Sequence, residues 1–154
     1  MRSSALTTAS LVAALIAAGS PARAQPTART TVAPPGTSVT TTLSPGIRIG
    51  DMVYASGQLP KNMPGTRMLD STIQDQTRTA LENVKAVVEA AGTTMANVVK
   101  CTVFLTDVKE FQGMNSVYST FWPKDPPARS TVVVAALVRA AAKIEVECIA
   151  AIPK

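Results

Sequence analysis

The chain has 154 residues, a formal charge of +5, 16% charged residues and no histidine. The missing histidine excludes Ser-His and Cys-His nucleophilic pairs and every histidine-bearing metal site, and two cysteines are too few for a thiolate zinc site within one chain. Lys and Arg are scattered, and three Phe, two Tyr and one Trp offer few stacking platforms, so a nucleic-acid surface is not indicated.

The first 24 residues read as a secretory signal peptide: Met1-Arg2 is a short positive start, Ala5 to Gly19 is apolar, and Ala22-Arg23-Ala24 is a small-x-small site before Gln25. As a membrane anchor the apolar core is too short, about 15 residues where a span needs about 20. Cleavage after Ala24 would leave 13 basic and 10 acidic residues, a charge of +3, in a periplasmic or secreted protein. Residues 25–38 are rich in Pro and Thr and read as a flexible leader, and 39–154 as one domain with a single core.

Val39 to Leu43 is threonine-rich and β-prone, the expected first strand. Ile47 to Ile49 and Met52 to Ser56 flank Gly50-Asp51 and predict a hairpin, ended by Gly57 and Pro60. Lys61 to Asp70 is a loop around Pro64-Gly65. Ser71 with Gln74 makes a capping box, and Ile73, Thr77, Ala80, Leu81, Val84, Val87, Val88 and Ala91 recur at helical spacing up to a Gly92 stop.

Val98 to Leu105 alternates as a strand. Asp107 and Glu110 open a second helix with Phe111, Met114, Tyr118 and Phe121 on one stripe, read as core, and Gly113 within it costs about 1 kcal/mol relative to Ala. Pro123, Pro126 and Pro127 end it. Ser130 to Ala136 and Lys143 to Ala151 are the last two strands. The sum is α+β: a single mixed sheet with two helices on one face.

Cys101 and Cys148 both lie in apolar strand-like runs. An exported chain permits a disulfide, but sequence alone cannot bring two Cα atoms within bridging distance, and the favoured reading is two buried thiols acting as small hydrophobes.

Candidate chemistry concentrates between Pro126 and Ala151. Arg129, stiffened by two preceding prolines, is suited to hold a carboxylate bidentately. On the last strand Ile144, Val146, Cys148 and Ala150 share the face that suits the helices, so Glu145 and Glu147 point away from it. A hairpin closed near Ala140 would set Glu145 opposite Ala135, about 20 Å from Arg129. A small site using both then needs a second subunit, and an apolar uncovered sheet face also calls for one.

Six stretches carry a resemblance to a known family: YASGQLP (Tyr54 to Pro60), QxRxALENVKAVVEAAG (Gln76 to Gly92), VVKCTVFLTD (Val98 to Asp107), MNSVYSTF (Met114 to Phe121), PARS (Pro127 to Ser130) and KIEVE (Lys143 to Glu147). In order and spacing, from about residue 44 to 152, they resemble the Rid (YjgF-like) reactive-intermediate deaminases. The resemblance implies a chorismate-mutase-like fold, a homotrimer with clefts between subunits, and hydrolysis of 2-enamine or 2-imine acids such as 2-aminoacrylate to 2-oxo acids and ammonia. No cofactor and no metal are implied, and no membrane or nucleic-acid partner. By position, Arg129 matches the family arginine that binds the substrate carboxylate, and Glu145 the acidic residue that positions or activates water. Ser56 and Asn115 match polar cleft residues. Thr131 stands where the family often has cysteine, and the tyrosine often found after the early proline is missing after Pro45. That absence and the export signal motivate an alternative: an exported, non-catalytic small-ligand-binding trimer of the same fold. Ribonuclease activity, sometimes attributed to the family, finds little to activate a 2′-hydroxyl in a chain without histidine.

Overall fold

A computed structural model describes residues 28–61 and 72–154. The signal peptide, the start of the leader, the Pro64-Gly65 loop and Ser71 lie outside the described residues. One six-stranded sheet runs in the order β1-β2-β3-β6-β4-β5, with β1 at Arg29–Val32, β2 at Gly46–Ile49, β3 at Met52–Gln58, β4 at Val98–Leu105, β5 at Ala128–Val133 and β6 at Ile144–Ala151. Neighbours are antiparallel except β4 and β5, which are parallel. A parallel pair needs a crossover. Helix α2 (Phe111–Phe121) supplies it, and α1 (Ile73–Ala90) links β3 to β4.

The predicted α+β sheet with two helices is therefore observed, with differences at particular elements. The first strand is not Val39 to Leu43 but Arg29–Val32, inside the expected leader. The threonines explain the first half of that shift. Thr40 Oγ1 accepts from the backbone N–H of Leu43 at 3.0 Å, and Thr40 N–H donates to Leu43 O at 2.9 Å. Side-chain bonding of this kind competes with a sheet ladder and bends the segment into a turn. The hairpin at Gly50-Asp51 forms as expected, with Ile49 opposite Met52 and Gly50 at φ 58°.

Helix α1 is capped by Thr72, whose Oγ1 accepts from Asp75 N–H at 3.2 Å. It ends in a Schellman arrangement, Gly92 N–H to Glu89 O and Thr93 N–H to Val88 O, with Gly92 at φ 87°. Its apolar stripe, including Ala80, Leu81, Val84, Val87 and Val88, is fully buried against β3 and β6. Gly113 has a reason in packing. A Cβ there would lie 2.6 Å from Ile73 Cγ2, so the helices approach too closely for any side chain.

Two side-chain amides tie the helix to loops. Gln76, 1% exposed, donates to Ala141 O and accepts from Lys143 N–H, fixing the entry to β6. Asn83 donates to Leu59 O and Lys61 O.

The two final strands are not a hairpin. β6 inserts between β3 and β4, and β5 stands outside β4. Both segments pair with β4 because Val98–Leu105 offers two free ladder edges, whereas the loop from Val134 to Lys143 forms no strand. The reading of the cysteines is also corrected: the β4–β6 register sets Cys101 opposite Cys148, and the two form a disulfide with a Cα–Cα distance of 4.1 Å. Two strands that are remote in sequence bring the sulfurs together, which spacing along the chain could not reveal. Among the described residues, no helix is long and apolar enough to cross a membrane.

A cross-link between residues 47 apart restricts the unfolded chain and stabilises a protein by about 2–4 kcal/mol. The variant Cys101→Ala/Cys148→Ala is expected to lose stability in that range in urea unfolding at equal protein concentration. An unchanged midpoint would show that the cross-link contributes nothing to the fold.

Candidate functional site

The strand alternation of β4, β5 and β6 sorts the candidate residues onto two faces. Cys101, Val103, Leu105, Ile144, Val146 and Cys148 are buried under the helices. Arg129 stands opposite Cys101 in the β4–β5 register and shares this face. Glu145 stands opposite Phe104 and points to the other. Two strand spacings and three residues of offset put their Cα atoms about 14 Å apart. The predicted 20 Å followed from a hairpin that does not form, yet the two groups are still kept apart, now by the sheet itself.

On the helix side, Arg129 is half-buried at the sheet edge. Its Cζ lies 4.4 Å from the centroid of the Tyr118 ring and 5.8 Å from that of Phe111. Both rings belong to the stripe of α2 that was expected to be core. Tyr118 is buried in the core and Phe111 packs partly buried against it, and both also present ring faces to a cation. Among the described residues the guanidinium forms no ion pair. It borders a cavity of about 260 Å3 lined also by Asn115, Tyr118, Ser119, Trp122 and Pro127. The Trp122 indole is fixed by donation to Met95 O at 2.8 Å.

Two hydroxyls on this side are buried without a hydrogen-bond partner among the described residues, Tyr118 Oη and Thr131 Oγ1. Burial pushes the Tyr118 phenol up to about 12, against the opposing pull of Arg129, so the ring stays neutral at physiological pH. Structure thus brings Arg129 and Asn115 together, with Thr131 two residues along the same strand face.

The other face holds Glu145 and Ser56. Ser56 Oγ donates to Ser44 O at 2.7 Å and borders a cavity with Tyr54, Lys100 and Glu147. Lys100 Nζ donates to Ser130 Oγ at 2.7 Å. Glu145 lines a separate cavity of about 300 Å3 with Gly57, Phe104, Leu137, Val138 and Glu147. Desolvation first, and then the neighbouring Glu147, raise the Glu145 carboxyl above its ordinary 4.5.

Gly57 is a residue whose role the sequence did not disclose. It was expected to end the strand, but β3 continues to Gln58 through a register shift between Ala55 and Gln58. A Cβ at Gly57 would run into the Glu145 carboxylate, 2.9 Å from its Cδ. The bulge and the missing side chain together give Glu145 its place. Tyr118 was likewise passed over, because its helical spacing with Phe111 and Met114 is what any core stripe shows.

Comparison with known proteins gives concordant matches. Residues 33–152 match the family model described as endoribonuclease L-PSP. The Escherichia coli 2-iminobutanoate/2-iminopropanoate deaminase is 43% identical over 108 residues, covering 68% of this chain and 83% of that protein. Among solved structures, Escherichia coli TdcF with bound serine superposes with a TM-score of 0.72 at 36% identity, covering 80% of this chain and 99% of the other. The Yersinia pestis Rid-family protein YyfA gives 0.76 at 35% identity, with coverages of 81% and 100%.

The raised Glu145 carboxyl has a consequence for stability. A folded-state value above the unfolded one favours the protonated form in the fold; that stabilisation is complete below the ordinary carboxyl value and is lost as pH rises through the folded value. Glu145→Gln is therefore expected to melt at a higher temperature than the parent at pH 7, with the gap closing near pH 4. Thermal melts at the two pH values check this; a gap of equal size at both would show that the ionised carboxylate carries no desolvation cost.

Proposed function

The chain belongs to the endoribonuclease L-PSP (YjgF/Rid) family, and we propose that it is a hydrolytic deaminase of small 2-imino and 2-enamino acids. The observation that carries this reading is Arg129: a half-buried guanidinium stacked on an aromatic ring, bordering a cavity, with no carboxylate partner among the described residues. Such a group is short of an anion, and a planar carboxylate matches its fork of donors.

With the carboxylate held there, a water adds to the imine carbon and gives up a proton to the Glu145 carboxylate. Starting from the protonated imine, this leaves a neutral carbinolamine, whose nitrogen takes the proton back from Glu145. As the C–N bond breaks, the hydroxyl proton returns to the Glu145 carboxylate, which passes it to the departing ammonia, so that the 2-oxo acid remains. An enamine enters the same route after protonation at its β-carbon. No covalent bond to the protein forms, so orientation and fixed charge supply the acceleration. The raised carboxyl of Glu145 moves it toward neutral pH, where a general base works best.

Glu145 and Arg129 of one chain face opposite sides of the sheet, so the reading requires Glu145 of one subunit beside Arg129 of another. The homotrimer implied by the family resemblance supplies such clefts. Tyr54, 45% exposed, and Val132, 43% exposed, on the face without helices support its being covered. Export, read from residues 1–24, is supported by the Cys101–Cys148 disulfide, a bond that persists in oxidising compartments.

Mature protein is expected to accelerate ammonia release from 2-iminopropanoate generated in situ by an amino-acid oxidase. Arg129→Ala should lower the rate on the order of 100-fold or more. Absence of acceleration over buffer across several amino-acid precursors overturns the deaminase reading, and Arg129-dependent binding of 2-oxo acids without turnover would identify the non-catalytic binder instead. Light scattering is expected to give the mass of a trimer, and a monomer mass would remove the shared cleft.

A further inference from the structure

The Tyr118 ring lies 4.4 Å from Arg129 Cζ, and Tyr118 is itself 4% exposed, locked between α2 and the sheet. The indole of Trp122 packs against it at 4.8 Å between centroids, tilted by 39°. Phe111 offers a second ring to the same guanidinium at 5.8 Å. Arg129 is on the outermost strand β5, where a long side chain would otherwise be free to sweep through solvent. No acidic residue among the described ones restrains it.

From this arrangement we infer that Tyr118 is a positioning residue, whose ring face sets the plane of the Arg129 guanidinium and so determines how tightly the site holds a carboxylate. The inference rests on the carboxylate-clamp reading of Arg129. A ring restrains a cation through its quadrupole without neutralising it, so the guanidinium is oriented while all of its charge remains available. A carboxylate in the same place would orient Arg129 and also occupy it. The Tyr118 hydroxyl has no hydrogen-bond partner among the described residues, so the part of the side chain that acts on Arg129 is the ring.

The test separates ring electrostatics from packing. Binding of 2-oxobutyrate to the mature protein is measured by calorimetry for the parent, Arg129→Ala, Tyr118→Phe, and proteins carrying phenylalanine analogues with one, two and three ring fluorines at position 118. Fluorination drains the ring face of negative charge with little change in shape, so each variant keeps its packing. Tyr118→Phe should bind within about twofold of the parent, and affinity should fall stepwise with fluorination, about tenfold across the series. Thermal melts of the analogues should coincide. A flat series, with binding still abolished by Arg129→Ala, overturns the positioning role while leaving the clamp intact. Loss of more than tenfold in Tyr118→Phe also overturns it, because the hydroxyl would then be the active group. If the parent does not bind the 2-oxo acid at all, the clamp itself fails and the inference fails with it.

Discussion

Strand β6 is the constraint on which the rest depends. It is hydrogen-bonded on both sides, to β3 and β4, and it alternates without a break between the core and the opposite face. Ile144, Val146, Cys148 and Ala150 are each 2% exposed or less, and that burial fixes the register of the strand. A slip by one residue would drive Glu145 and Glu147 into the apolar layer beneath the helices, at a desolvation cost that the strand could not recover. The direction of Glu145 is therefore a by-product of core packing. The disulfide adds a covalent lock at the same register position, joining β6 to β4 at Cys148 and Cys101.

That alternation was legible in the sequence because period-two patterning over eight residues is unambiguous, and so was α1, whose stripe and Gly92 stop have few other interpretations. The stripe of α2 was legible for the same reason, but its cap was not: Asp107 accepts from Lys109 N–H and caps a 3-10 turn over Val108–Glu110, and α2 itself starts at Phe111 without a side-chain cap. Pairing was not legible either. Which strand lies beside which is decided by contacts between segments remote along the chain, and two consecutive β-prone segments suggest a hairpin by default. Here β4 takes both β5 and β6 as neighbours, and the same fact brings Cys101 to Cys148. The threonine run before Pro45 misled in another way, since β-propensity reports a fit to a half-buried pleated surface, and Thr40 to Thr42 are exposed, with the Thr40 hydroxyl turned on local backbone.

The candidate residues were found by type and setting, but what holds them was not. Arg129 and Glu145 are conspicuous as charges in apolar runs. Gly57 and Tyr118 are conspicuous as nothing in particular: one reads as a strand end, the other as one more aromatic in a helical stripe. Their roles exist only in three dimensions, where the missing Cβ of Gly57 makes room for the Glu145 carboxylate and a ring face of Tyr118 meets the Arg129 guanidinium. Supporting residues of this kind carry no chemical signature of their own.

The two carriers of charge are also treated differently by their surroundings, and the difference has a physical logic. Glu145 is pushed toward its neutral form by burial and by Glu147. Arg129 is restrained by rings, which leave its charge unspent. A lysine at this position could form the same kind of ring contact but would present a point charge without a plane, and would lose the match to a carboxylate's two oxygens. A sheet only one residue thick separates the two environments. The helix face supplies aromatic packing for the cation, and the open face supplies a like-charged neighbour for the carboxylate. One chain can build both environments, but it cannot bring them to a single point, because each depends on lying on its own side of β4 and β6.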